Sequence, residues 1–271
     1  MGPARDPLRV VSADGTPIAV FLSGDGPPLV LVHGATADHT TFRVVGPLLA
    51  PDFRLYALDR RGRGASGDGP DYAIEREFED VAAVAETVAA DAGAPVTVVG
   101  HSFGGRCALG AALLTEAVGR VVCYEGAPSP PRLAYQPAGL AARLRADLER
   151  GDPAAVLARF MTEVVRMPAA DLARFRADPV WPARVAAAHT ILRELEVEVA
   201  PAASLDALGA IRQPVLQVLG GDSTEPFHVA TRALDARLAD GRVLTIDGAR
   251  HAAHHTHPVV FAEAVAAFAR E

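Results

Sequence analysis

Thr97-Val98-Val99-Gly100-His101-Ser102-Phe103-Gly104-Gly105 joins an apolar, β-branched run to a Gly-x-Ser-x-Gly pentapeptide, and the residues that follow form helix readily. Val and Thr fit a pleated, buried strand. The pattern therefore predicts a strand that turns sharply into a helix, with Ser102 at the corner. So tight a turn leaves no room for side chains two residues to either side. Gly100 and Gly104 meet that demand, and Gly105 lets the helix lie close to the strand. The Ser102 hydroxyl is then held in the open above the first helix amides.

Working outward, similar apolar runs end in loops rich in chemistry. Leu29-Val30-Leu31-Val32 reads as a buried parallel strand and runs into His33-Gly34-Ala35, a turn able to aim backbone amides inward. Phe53 to Leu58 is a further strand, closed by the loop from Asp59 to Gly67, which carries Arg60, Arg61 and Arg63. Arg120 to Glu125 follows as another. Far downstream, Val215 to Leu219 ends in Gly220-Gly221-Asp222, and Val243 to Ile246 ends in Asp247-Gly248-Ala249-Arg250-His251.

Serine, then an acid, then histidine, each after a strand, is the chain order of an α/β-hydrolase triad. Over essentially its whole length the chain resembles the α/β-hydrolase superfamily, and within it the small esterase-type members. The resemblance implies an α/β-hydrolase fold: a mostly parallel central sheet flanked by helices, with a helical cap inserted after the sixth core strand. It also implies Ser102 as nucleophile, His251 as base and Asp222 as orienting acid. Glu125, at the end of the sixth strand, is the alternative acid, because some family members place it there. The backbone amides of Ala35 and Phe103 are implied as the donors that receive the developing oxyanion.

Composition agrees with one catalytic unit. The chain has 271 residues, half of them hydrophobic and few aromatic, enough for a large core built from Ala, Val and Leu. Lys and Arg number 26 against 33 Asp and Glu, a formal charge of −7, so no basic face is expected for nucleic acid or an anionic membrane. A small neutral or cationic substrate is the expected partner. No apolar run approaches the roughly 20 residues that span a bilayer. The start, Met1-Gly2-Pro3-Ala4-Arg5-Asp6-Pro7, lacks the apolar stretch of a secretory leader, so a cytoplasmic location is expected. Cys107 and Cys123 lack metal-ligand spacing and read as buried, unpaired thiols. No metal and no cofactor is expected.

Leu8 to Ser12 and Pro17 to Leu22 flank Asp14-Gly15 and read as a hairpin at the sheet edge. A helix is predicted over residues 75–92. After Glu125 the alternation of strand and helix stops, and helices are predicted over Leu140–Arg150, Pro153–Val165, Ala169–Arg176 and Pro182–Leu195. Residues 1–127 and 211–271 are thus expected to form the core and 128–210 the cap. Phe160, Met161, Met167, Phe175 and Trp181 are the cap side chains able to wall an apolar pocket.

The expected chemistry follows from what a serine needs. Its hydroxyl is a poor nucleophile at neutral pH and requires a base, itself oriented by an anion. His254, His255 and His257 crowd His251 and are expected at the pocket rim or in solvent. His33 is expected to shape its turn, His101 to point away from Ser102, and Asp59 to anchor its loop by pairing with Arg60, Arg61 or Arg63. A serine at the elbow, where dehalogenases and epoxide hydrolases of this fold carry Asp, implies an acyl-enzyme. The substrate is then a small, largely apolar carboxylic ester, thioester or lactone. Carbon–carbon bond hydrolysis, acyl transfer and a non-catalytic small-molecule receptor are the alternatives.

Overall fold

The apolar runs pair into one sheet. The computed structural model of the chain describes residues 6–130, 133 and 136–271. Residues 1–5 of the N-terminal reading, and 131, 132, 134 and 135 of the expected cap, lie outside the described residues. β1 (Leu8–Val11) and β2 (Pro17–Ser23) form the antiparallel edge hairpin, Leu8 opposite Val20. Gly15 takes the left-handed conformation, φ 87°, that its turn requires.

The helices and strands then alternate. β3 (Pro28–Val32) leads through a short turn of helix, His39–Arg43, to α1 (Gly46–Leu49) and β4 (Arg54–Leu58). α2 (Ile74–Ala92) precedes β5 (Val96–His101), and α3 (Phe103–Leu114) separates β5 from β6 (Val118–Tyr124). Between β6 and β7 stand α4 (Leu140–Glu149), α5 (Pro153–Glu163), α6 (Ala169–Ala177), α7 (Trp181–Ala186), α8 (His189–Val197) and α9 (Leu205–Leu208). β7 (Val215–Gly220), α10 (Glu225–Asp235), β8 (Gly241–Ile246), α11 (Ala253–Thr256) and α12 (Pro258–Ala269) complete the described chain.

The sheet has eight strands in the order β1-β2-β4-β3-β5-β6-β7-β8. β2 joins β4 antiparallel, and every pairing from β4 through β8 is parallel. From β3 the chain moves outward to β4 and then returns to lay β5 on the other side of β3. The direction of winding thus reverses between β3 and β5, and a crevice opens at their carboxyl ends, where ligands of open α/β sheets bind. His33-Gly34 and Ser102 both occupy that crevice edge.

Alternation along each strand divides the core between the two sheet faces. Val30, Val32, Val98 and Val121 pack under α2 and α3, and Leu29, Leu31, Val99 and Val122 pack under α1 and α12. Buried on both sides, the parallel strands read as continuous apolar runs. A third cluster, including Leu144, Leu157, Phe160 and Ile191, holds α4, α5 and α8 to one another. Cys107 and Cys123 are buried and free, and burial pushes the Cys123 thiol up to about 12.

One helix expectation is corrected. The predicted Pro182–Leu195 helix is two helices, α7 and α8, broken at Ala187–Ala188. Thr190 Oγ1 donates to the Ala187 carbonyl at 2.6 Å, the side-chain competition with helix bonding that Thr offers. The break seats Ala188 and Ile191, both fully buried, in the third cluster. Among the described residues, no helix is long and apolar enough to cross a membrane.

Candidate active site

β5 ends and α3 begins on a single residue, Ser102, whose backbone takes φ 55° and ψ −125°. An L residue with positive φ is strained, and the surroundings show what holds it. A Cβ placed on Gly100 would stand 2.3 Å from the Gly104 carbonyl oxygen, and one on Gly104 would stand 2.3 Å from that of His33. The glycines therefore let strand, elbow and the His33 turn close to backbone contact. A Cβ on Gly34 would stand 2.9 Å from the Ser102 Cβ, so this turn rests directly against the elbow.

His33 fixes the turn. Its Nδ1 donates to the Gly34 carbonyl at 2.8 Å, and its Nε2 accepts the Arg60 amide at 3.0 Å, which leaves a neutral ring with one defined tautomer. Burial, followed by the charges of Arg60 and Arg63, holds its pKa well below the ordinary histidine value. Ala35, just past this turn, lines the same cavity as Ser102 and Phe103. The Phe103 amide opens α3 and is one of the first four N–H groups that an α-helix leaves without an internal partner.

The group hydrogen-bonded to the His251 imidazole is Glu125, not Asp222. Glu125 Oε2 accepts from His251 Nδ1 at 2.6 Å. Its Oε1 accepts from the Gly220 amide at 2.8 Å and from Ser223 Oγ at 2.5 Å, so both oxygens are held. Asp222 is exposed in the turn after β7, its amide bonded to the Ala249 carbonyl at 2.8 Å. The end of β7 thus supplies donors that clamp Glu125, and the carboxylate reaches the imidazole from the end of β6. Glu125 also has a positive φ, 47°, which turns the chain away just as β6 ends.

His251 is fixed from several sides. Tyr124 Oη donates to the Arg250 carbonyl and accepts the Ala253 amide at 2.8 Å, bracketing the loop. His101 Nε2 donates to the His251 carbonyl at 2.7 Å, and the Phe227 ring stacks on the imidazole at 4.6 Å. His101, expected to point away from Ser102, lines the cavity with its ring 4.7 Å from that of His251 between centroids. His254, expected at the rim, is buried with its ring 4.4 Å from that of His101. Burial holds both His101 and His254 well below the ordinary histidine pKa, so they are neutral wall groups.

The cavity over Ser102 measures about 440 Å³. Phe160, Met161, Met167 and Phe175 line it; Trp181 does not. Its ring stands edge-on to Phe175 at 5.2 Å and beneath the Arg176 guanidinium, where it supports the wall. Hydrophobicity alone marked all of these residues equally. Which of them line the cavity depends on how α5, α6 and α7 pack together.

Sequence reading missed the ion network behind the site. Asp59 accepts from His39 and from the Ala65 amide, not from the neighbouring arginines. Arg61 makes a two-pronged pair with Asp80 at 2.7 Å on both prongs. Arg60 meets Glu77 and Glu194, Arg63 also meets Glu194, and the Arg60 guanidinium lies 4.5 Å from the Phe103 ring centre. Glu194 belongs to α8, so buried charge ties α8 to the loop after β4. Arg60, Arg61 and Arg63, Glu77 and Asp80, and Glu194 lie on three separate segments, a proximity no spacing pattern encodes.

Residues 29–264 match the model of the alpha/beta hydrolase family, and the chain belongs to that family. The 2-(acetamidomethylene)succinate hydrolase of Mesorhizobium japonicum is 28% identical over 90% of this chain and 88% of its own length. Among solved structures, an alpha/beta hydrolase from Sphaerobacter thermophilus is 32% identical with a TM-score of 0.78, covering 94% of this chain and 99% of the other. An esterase from Rhodococcus sp. ECU1013 is 25% identical with a TM-score of 0.73, covering 98% and 99%. Against other curated relatives, the mycobacterial proteins called probable oxidoreductase EphD, the match spans only 17% of their length.

Proposed function

We propose that the protein is a serine hydrolase that cleaves a small carboxylic ester, thioester or lactone through an acyl-enzyme, with Ser102 as nucleophile, His251 as base and Glu125 as the orienting acid. The observation that carries this reading is the Glu125–His251 hydrogen bond at 2.6 Å, in a cavity that also exposes the strained Ser102. Perturbed backbone geometry of this kind collects at functional sites. The reported likenesses to a hydrolase along nearly its full length and to an esterase structure support it.

In this reading His251 Nε2 takes the proton of Ser102 Oγ as the oxygen attacks the carbonyl carbon. The imidazolium so formed is stabilised by Glu125, which already accepts the Nδ1 hydrogen and stays ionised. Negative charge gathers on the carbonyl oxygen, where the Phe103 and Ala35 amides donate and the helix N-terminus adds its dipole. Return of the proton to the leaving oxygen expels the alcohol. A water molecule, deprotonated by the same imidazole, then releases the acid and restores Ser102. The helices of residues 128–210 act as the cap that selects the substrate.

The test is direct trapping of the intermediate. Incubation with a p-nitrophenyl acylate is expected to leave one acyl group on Ser102, found by peptide mass spectrometry. Ser102→Ala is expected to keep its circular dichroism and lose turnover. Wild-type turnover in Ser102→Ala would overturn the reading.

A further inference from the structure

The cavity wall carries an arginine that has, among the described residues, only one distant carboxylate partner. Arg184, on α7, is 4% exposed and lines the cavity. Its Nη1 donates to the Thr36 carbonyl at 3.1 Å; among the described residues, Nε and Nη2 have no hydrogen-bond partner. The nearest carboxylate, Asp38, lies at 4.0 Å and already accepts the Thr40 amide at 2.9 Å and the Thr40 hydroxyl. The other arginines of the wall have closer partners: Arg43 has Asp178 at 3.2 Å, Arg106 has Glu198 at 3.7 Å, and Arg174 has Asp171.

A buried guanidinium with so little compensation is costly, and buried cations are ordinarily paired. Burial draws the Arg184 pKa below its ordinary value, the direction expected for a cation short of counter-charge. His255, in the same wall, is lowered to about 4, first by burial and then by the charges of Arg43 and Arg184. Arg43 and Asp178 pair with each other beside it, so at this end of the cavity Arg184 is the cation with no carboxylate closer than 4.0 Å among the described residues, in a protein whose formal charge is −7.

Resting on the hydrolase reading above, we propose that Arg184 anchors a carboxylate of the substrate, so that the preferred substrates are half-esters of short dicarboxylic acids. The planar guanidinium fork suits a carboxylate's two oxygens. Thr36, which Arg184 touches, directly follows Ala35, and successive Cα atoms lie about 3.8 Å apart. Arg184 and Ser102 line one cavity of about 440 Å³ and Arg184 bonds the residue next to Ala35, so the proposed spacer is short, about two to four carbons as in succinate, glutarate and adipate. The acidic surface does not argue against this, since a pocket's local charge, not the net charge, meets the bound group.

The test compares monophenyl glutarate with phenyl 5-methylhexanoate, in which an isopropyl group replaces the carboxylate, and adds calorimetric binding of glutarate to Ser102→Ala. Wild type is expected to favour the charged ester in kcat/KM. Arg184→Gln is expected to lower the charged-to-neutral ratio at least 30-fold, mainly through KM, and Arg184→Lys to recover part of it. Glutarate binding is expected to weaken at least tenfold when Arg184→Gln is added to Ser102→Ala. Preference of wild type for the neutral ester, equal loss on both esters, or glutarate binding indifferent to residue 184 would each overturn the proposal. The equal-loss result would mean that Arg184 only braces the Thr36 turn. Arg184-dependent glutarate binding without turnover of either ester would support the anchor and instead defeat the hydrolase reading.

Discussion

Glu125 and His251 are 126 residues apart in the chain and 2.6 Å apart in the fold, joined through Oε2 and Nδ1. The contact spans two strands: Glu125 leaves the end of β6, and His251 follows β8. β7 lies between them and gives the Gly220 amide and Ser223 hydroxyl to the other carboxylate oxygen. Glutamate's extra methylene, compared with aspartate, suits that reach from β6.

Glu125→Gln is expected to keep the shape of the pair but favour the wrong imidazole tautomer and remove the charge that stabilises imidazolium. A loss in kcat of about 10³–10⁴ is expected by analogy with the triad aspartate. Asp222→Asn, at an exposed turn, is expected to stay within a few-fold of wild type. Both are read by steady-state kinetics on one ester, and a severe loss in Asp222→Asn with a mild one in Glu125→Gln would return the role to β7.

The elbow permits a sharper structural test. Gly104→Ala would bring a methyl to 2.3 Å from the His33 carbonyl oxygen, where backbone must move. Overpacking of this kind costs about 1–3 kcal/mol, and the displaced turn carries Ala35. A fall in urea midpoint together with a fall in kcat is expected. Full stability and full activity in Gly104→Ala would show that the turn yields without consequence.

What the sequence disclosed and what it hid divide along a physical line. The strand runs, the Ser102 elbow and the His33 turn were legible because apolar burial on both faces and glycine contacts leave a local trace. The acid was not: Asp222 and Glu125 both stand at strand ends, and only the packing of three neighbouring strands decides which carboxylate turns inward. The partners of Arg60, Arg61 and Arg63 were misjudged for the same reason. Asp59 was nearest in sequence, whereas Glu77, Asp80 and Glu194 lie on helices that fold over the loop. Arg184 gave no signal at all, since its meaning rests on the absence of a close carboxylate.

Glu194 offers a measure of how firmly α8 is tied to the loop after β4. It is 1% exposed and meets both Arg60 and Arg63 at 2.5 Å. Glu194→Ala would leave two buried cations sharing Glu77. Loss of one partner from a buried pair costs about 3–5 kcal/mol. Chemical denaturation is expected to show a loss of that order, with Glu194→Gln losing less because it keeps a hydrogen-bond acceptor. A change below about 1 kcal/mol in Glu194→Ala would mean that water enters the cluster and screens it.

Acid sensitivity follows from the buried imidazoles. His33, His101 and His254 are held well below the ordinary value of 6.5, chiefly by burial, and His255 is lowered to about 4. On unfolding each regains its ordinary affinity, so below about pH 6.5 the unfolded chain binds protons that the folded chain does not. Stability due to these groups is complete above that pH and is lost as pH falls. Two carboxylates act in the opposite sense: burial raises Asp80 to about 6 and also raises Glu198, so the folded state holds protons there that the unfolded state releases. Three imidazoles held well below the ordinary value, with His255 adding to them, outweigh these two carboxylates. A net uptake of roughly two to three protons on unfolding is expected, or about 2.8–4.2 kcal/mol per pH unit near pH 5.5. Urea midpoints measured from pH 7 down to 5.5 are expected to fall accordingly, and His254→Gln to flatten the slope by about one proton. A midpoint that stays constant over that range would show that these rings are protonated in the folded state.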